Sequence, residues 1–170
     1  LRTIPNKLFA NCPKTTSFAE CFWGCNSLTT IPEDMFANCT NVDSFSYTFA
    51  KCRIYNLSTI LFADCINVTS FSTTFWGCQI PFGGCSGLTS IPNNLFDNNT
   101  KVTNFNETFS RCYNITGTTP NGTSNIEVWE RAGQSGYPTT ITGTQCFCGC
   151  SGLTNYILIE PTWRCNEVYP

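Results

Sequence analysis

Residues 28–52 read LTTIPEDMFANCTNVDSFSYTFAKC, and their apolar and cysteine positions return along most of the chain. Reduced to a pattern, the stretch is L-x-x-I-P-x-x-[LM]-F-x-x-C-x-x-V-x-x-F-x-x-T-F-x-x-C. Residues 1–25 fit it, residues 57–78 fit it with a short deletion near Ile60, and residues 88–112 fit it again. A unit that recurs in this way predicts stacking, because no single unit is large enough to bury its own apolar face. Each unit is a pair of halves: Leu28-x-x-Ile31 leads to Phe36-x-x-Cys39, and Val42-x-x-Phe45 leads to Phe49-x-x-Cys52. A half of about thirteen residues has little room to go out and return around a filled interior. A full unit of about 25 to 31 residues suits one coil with two inward-facing stretches.

Local chemistry predicts a short extended segment followed by a helical turn. Thr29 and Thr30 favour strand. Pro32 is tolerated at the first position of a helix, and Glu33 and Asp34 suit its N-terminus. Met35, Phe36 and Cys39 then fall on one helical face. The longer gaps at 53–56 and 79–87 predict rim loops, the second rich in Pro and Gly. From Thr116 to Thr144 the pattern is lost. It returns in Cys146-Phe-Cys-Gly-Cys150-Ser-Gly-Leu153, which aligns with Cys21-Phe-Trp-Gly-Cys25-Asn-Ser-Leu28. The expected organisation is one structural domain: a repeat array over 1–115, an irregular insertion over 116–145 and a capping repeat over 146–170.

Charged residues are 12% of the chain, against roughly 25% in an average soluble protein. Thr, Ser and Asn carry the polar surface. The net charge of −2 comes without a basic run, so no nucleic-acid footprint is present. No apolar run approaches the roughly 20 residues of a membrane-spanning helix. Leu1 already lies inside a repeat and no signal peptide is visible, so a mature or trimmed chain is expected.

There is no histidine. That removes Ser-His and Cys-His dyads and most catalytic zinc sites, and the chain is expected to have no catalytic residues, no cofactor and no enzymatic activity. The cluster Cys146, Cys148, Cys150 and Cys165 invites a four-thiolate metal site, but it lacks Cys-x-x-Cys pairs and Cys146 and Cys150 sit at repeat positions. No metal is expected. The thirteen cysteines are an odd number. Cys12, Cys25, Cys39, Cys52, Cys65, Cys78, Cys112 and Cys150 form the repeat positions, where two states stay open: a ladder of buried thiols, or several disulfides. Cys21, Cys85, Cys146, Cys148 and Cys165 lie outside that ladder and are the better disulfide candidates. Asn11, Asn38, Asp64 and Asn98 each precede the first cysteine position (Asn99 in the fourth unit), where a short polar side chain is expected to hydrogen-bond the turn backbone.

Trp23 and Trp76 share one repeat position, turned off the Phe/Cys face. With Tyr47, Tyr55 and Tyr113 they are the candidate ligand-binding residues, because aromatics dominate binding hot spots. Covering the edge of the stack is the alternative. Asn-x-Ser/Thr triplets begin at Asn38, Asn56, Asn67, Asn98, Asn106, Asn114 and Asn121 and matter only where N-glycosylation operates.

The pattern carried by Leu28, Ile31, Pro32, Phe36, Cys39, Val42, Phe45, Phe49 and Cys52 resembles the BspA-type leucine-rich-repeat surface proteins common in Bacteroides-like bacteria. The resemblance covers residues 1–115 and returns at 146–163. The doubled half-repeat, the deletion near Ile60 and the 116–144 segment depart from the simplest family pattern. The resemblance implies an α/β repeat, a right-handed leucine-rich-repeat solenoid of about four coils with a C-terminal cap. It also implies an extracellular, cell-surface protein engaged in adhesion to host or matrix proteins. A glycan-binding module using exposed Trp and Tyr, or a structural spacer in a larger surface protein, are the alternatives.

Overall fold

The structure is a computed structural model that describes residues 1–10, 12–77 and 87–165. Asn11, Cys78, Cys85 and nearly all of the 79–87 loop lie outside the described residues. Five tiers stack in order: 1–25, 28–52, 54–77, 88–112 and a longer fifth over 115–150. Parallel bridges join Ser17 to Ser44, Ser44 to Ser70, Ser70 to Asn104 and Asn104 to Thr142, so each unit makes one full passage.

The N–H groups explain the local geometry. In the second tier those of Phe45, Tyr47, Phe49 and Lys51 donate to the carbonyls of Ser70, Ser72, Thr74 and Trp76 in the next tier. The N–H groups of Thr48, Ala50 and Cys52 turn back three residues to Phe45, Tyr47 and Phe49. Bonds between tiers therefore alternate with turns inside a tier, and neither a helix nor a continuous strand forms. Among the described residues the single helix is a 3₁₀ turn, Tyr156–Leu158, and the pairings are isolated bridges. The helical turn expected after Pro32 is instead a succession of such turns: Met35 N–H to Pro32, Ala37 to Asp34 and Cys39 to Phe36. The x-x spacing of the pattern is the spacing of these bonds. Tyr47 and Lys51 sit at φ of 58° and 62°, and their equivalents Glu107 and Arg111 at 54° and 65°. This left-handed backbone is unfavourable for side-chain-bearing residues and is held by the stack around it.

The third tier corrects the sequence alignment. Ile54 is fully buried while Ile60 is 52% exposed. Arg53 and Tyr55 donate to Leu28 and Thr29, and Leu61 N–H turns back to Ser58 as Met35 does to Pro32. Ile54 thus takes the place of Leu28, Leu57 that of Ile31 and Ser58 that of Pro32. The deletion near Ile60 and the loop at 53–56 both disappear, because these residues are the opening of the unit.

Three phenylalanine columns make the core. Phe22, Phe49, Phe75, Phe109 and Phe147 stack at centroid spacings of 5.5, 5.7, 5.5 and 5.9 Å. Phe18, Phe45, Phe71 and Phe105 form the second column, and Phe9, Phe36, Phe62 and Phe96 the third. In the fifth tier the second column meets Gly143. A Cβ there would collide with the ring of Trp163, which folds back from the C-terminal segment and packs 6.0 Å from Phe105. Trp163 fills the space that glycine leaves.

Polar side chains stitch the tiers together. The Thr48 hydroxyl lies 2.9 Å from Phe18 O and 2.7 Å from Phe45 O, and Thr74 and Thr108 repeat the arrangement. The cysteine columns do the same through sulfur: Cys39 donates to Phe9 O, Cys52 to Phe22 O, Cys112 to Phe75 O and Cys150 to Phe109 O. They are weak S–H donors as well as small core residues. At Asn99 the amide takes over, donating to Phe62 O and Cys65 O. In the fifth tier the buried Arg131 donates to Phe96 O. The segment expected as an insertion over 116–145 is therefore part of the fifth tier: its first half and the opening of its second, where Gly143 and Gln145 stand opposite Phe105 and Glu107. Asp64 and Asn98 do bond to backbone, but across tiers: Asp64 accepts from Asn38 N–H and Asn98 donates to Ala63 O.

Glu127 belongs to the same half-tier, accepting from the Thr119 hydroxyl at 2.7 Å and the Asn155 amide at 3.2 Å. Burial raises its pKa, and these hydrogen bonds only partly offset that. Between the unfolded and folded values the native state binds more protons than the unfolded chain, so stability falls as pH rises through that interval. Glu127→Gln is expected to flatten this part of the melting-temperature profile. An unchanged slope above the ordinary carboxylate range removes Glu127 as its source.

Candidate binding surface

Two adjacent positions of each tier form a line along the stack, whose longer side chains Trp23, Lys51, Trp76 and Arg111 reach its surface. Reading the two residues between the column Phe and the second cysteine position, the tiers carry Trp23-Gly24, Ala50-Lys51, Trp76-Gly77, Ser110-Arg111 and Cys148-Gly149. Over the first four tiers a tryptophan followed by glycine alternates with a small residue followed by a cation, and the fifth carries a cysteine before its glycine. Lys51 Nζ lies 5.3 Å from the centroid of the Trp23 ring and 5.6 Å from that of Trp76. The Arg111 guanidinium lies 5.2 Å from Trp76. Trp76 is thus flanked by a cation from the tier on each side, and ring and charge interdigitate down the line. Such contacts stabilise by roughly 0.5–1 kcal/mol each at exposed sites. They hold the long cationic side chains in place.

The five aromatic residues singled out from the sequence do not form one cluster. Trp23 is 53% exposed and opens the line, whereas Trp76 is half-buried within it. Tyr113 lies beside Arg111, its ring so close over Gly149 that a Cβ there would strike it. Tyr55 packs on Gly87, and Arg53 donates to its hydroxyl. Tyr47 is exposed in a different column, at the position held by Glu20, Thr73, Glu107 and Gln145 in the other tiers. Lys51 and Arg111 complete the line but are not among the residues that spacing and residue type single out. Their signal was present in the alternation of Trp-Gly with small-cation.

The line ends at a hollow of about 640 Å³ between the last two tiers and the C-terminal segment. Its walls include Arg111, Gln145, Thr162, Arg164 and the Cys148–Cys165 disulfide. That disulfide joins two of the five cysteines placed outside the ladder, while Cys21 and Cys146 are free thiols. It also uses two of the four sulfurs of the candidate metal set, and the remaining pair, Cys146 and Cys150, is buried in the core. Among the described residues no three His, Cys, Asp or Glu side chains are grouped to hold a metal ion.

Burial pushes the thiols away from reactivity. Cys65 and Cys146 are each raised to about 12, chiefly by desolvation, and Cys39 and Cys150 are raised for the same main reason. A nucleophilic thiol needs the opposite shift. In native protein Cys12, Cys21 and Cys25 are expected to alkylate, while Cys39, Cys52, Cys65, Cys112, Cys146 and Cys150 stay protected until denaturant is added. Peptide mapping reads this directly. Native labelling of Cys65 at the rate of Cys21 contradicts the thiol ladder.

Among the described residues no helix is long and apolar enough to cross a membrane. No family model and no curated protein matches the chain.

Proposed function

We propose that the chain is a leucine-rich-type solenoid serving as a non-enzymatic extracellular surface module, adhering to host or matrix proteins. The observation that carries this is the line Trp23–Lys51–Trp76–Arg111. Trp and Arg are the residues most enriched at binding hot spots, and mutual stacking here limits the side-chain entropy lost when a partner arrives. The missing histidine and the upward-shifted buried thiols support a role without catalysis. The Cys148–Cys165 disulfide supports an oxidising, extracellular setting.

The test is binding of the immobilised chain to a panel of collagen, fibronectin and laminin, beside a Trp23→Ala/Trp76→Ala variant. At least one partner is expected, with a loss of roughly tenfold or more in the double variant. A blank panel, or binding indifferent to both indoles, counts against the proposal. Stacking of neutral sugar rings is disfavoured at Trp76, since cations from both neighbouring tiers cover it.

A further inference from the structure

The hollow at the end of the line has a chemistry of its own. Two guanidinium groups, Arg111 and Arg164, line it. Arg111 is stacked on Trp76, and Arg164 donates one N–H to Ile159 O at 3.0 Å and stacks 5.9 Å from Tyr156. Among the described residues neither forms an ion pair. A guanidinium carries five N–H donors in a rigid fork that matches a carboxylate or sulfate, and among the described residues Arg164 spends one of them, on Ile159 O. Ser110, Thr144, Gln145 and Thr162 add hydroxyls and an amide, and Glu107 adds an acceptor. Pro161 and the disulfide are the apolar parts of the wall. The lining thus suits a ligand that is anionic and rich in hydroxyls, and it lacks the large apolar pocket that anchors a peptide side chain. Its volume lies within the usual range for small-ligand sites.

We infer that this hollow binds an acidic saccharide, a uronate or a sulfated sugar, whose anionic group is held between Arg111 and Arg164 while its hydroxyls meet Thr144, Gln145, Thr162 and Glu107. Lys51, two tiers back along the line, meets the next charge of a longer chain, so the ligand class is an acidic polysaccharide. The inference rests on the line being a contact surface and adds a ligand class to it.

Titration calorimetry on the full chain tests this with four probes: a sulfated glycosaminoglycan, polygalacturonate, neutral dextran and poly-L-glutamate. At least one acidic glycan is expected to bind, more weakly as salt rises, and dextran is not. Whether the sulfated chain or the uronate binds better identifies the anion. Arg111→Gln and Arg164→Gln are each expected to lower affinity roughly tenfold. Lys101→Gln, at an exposed cation whose side chain donates to Asn67, is expected to leave it unchanged. Should one arginine variant fold poorly by circular dichroism, the other carries the test. The inference is overturned if neither acidic glycan binds, if poly-L-glutamate binds as well as they do, or if Lys101→Gln costs as much as the arginine changes. Binding to matrix proteins that survives both arginine changes, without glycan binding, removes this inference and leaves the adhesion proposal standing.

Discussion

Replacing Phe49 with alanine is expected to cost about 3–5 kcal/mol of stability. The ring is fully buried and stacked between Phe22 at 5.5 Å and Phe75 at 5.7 Å, with Phe36 edge-on at 6.2 Å. Removing it opens a cavity that the column cannot close, because each neighbouring ring is held by a tier whose height is set by backbone hydrogen bonds. The change also falls in the second of five tiers. In a stacked array stability is close to a sum over units and their interfaces, so one change weakens two interfaces together. Urea unfolding followed by near-ultraviolet circular dichroism measures the loss. A variant that melts within a degree or two of the parent would show that the phenylalanine column is not the core.

Trp163→Ala is expected to cost a similar amount, about 3–5 kcal/mol, and to act at the other end. Trp163 is 4% exposed and occupies the space that Gly143 leaves in the Phe18–Phe45–Phe71–Phe105 column. Its backbone carbonyl accepts from Phe147 N–H, and Thr162 O accepts from Gln145 N–H, so the same segment also covers the last tier's donors. Without the indole, the fifth tier presents an uncovered apolar edge to water. Fluorescence-detected unfolding should show a broader transition beginning at this end. Because the indole fills the place of a column ring, Gly143→Phe in the Trp163→Ala background should recover part of the loss, while Gly143→Ala alone should destabilise the parent. No recovery, with Gly143→Ala neutral, would mean that Gly143 and Trp163 do not share one site.

Much of the core was legible in the residues. Spacing alone points Phe36, Phe45, Phe49, Cys39 and Cys52 inward, and all are buried. The backbone was harder to read. Met35, Phe36 and Cys39 look like a helical face because bonds between i and i+3 give a spacing close to that of an α-helix. What distinguishes the fold is that Asn38 N–H goes to the Asp64 carboxylate of the next tier, and that every second N–H from Phe45 to Lys51 leaves for the next tier; a local pattern carries no information about such partners. The start of the third tier was misplaced for a related reason. Leu57 matches Leu28 by residue type, but cross-tier bonds at Arg53 and Tyr55 put Ile54 there. On the surface, Trp23 and Trp76 are legible because they occupy one repeat position, while Lys51 and Arg111 interleave with them one residue further along and are not.

The sequence by itself determined the period, the inward columns and the absence of imidazole chemistry, since each follows from residue type at a fixed local spacing. Only the tertiary structure decided which residues complete the columns where the pattern fails. Arg131 follows Asn99, Trp163 replaces a phenylalanine opposite Gly143, and Cys148 rather than Cys146 pairs with Cys165. The physical reason is the same in each case. A column demands a group of a certain size or a donor for a certain carbonyl, and the chain meets that demand from whichever distant segment the loops bring within reach. The opening stretch, residues 28–52, states the rule of the stack, and the fifth tier shows how the stack is closed.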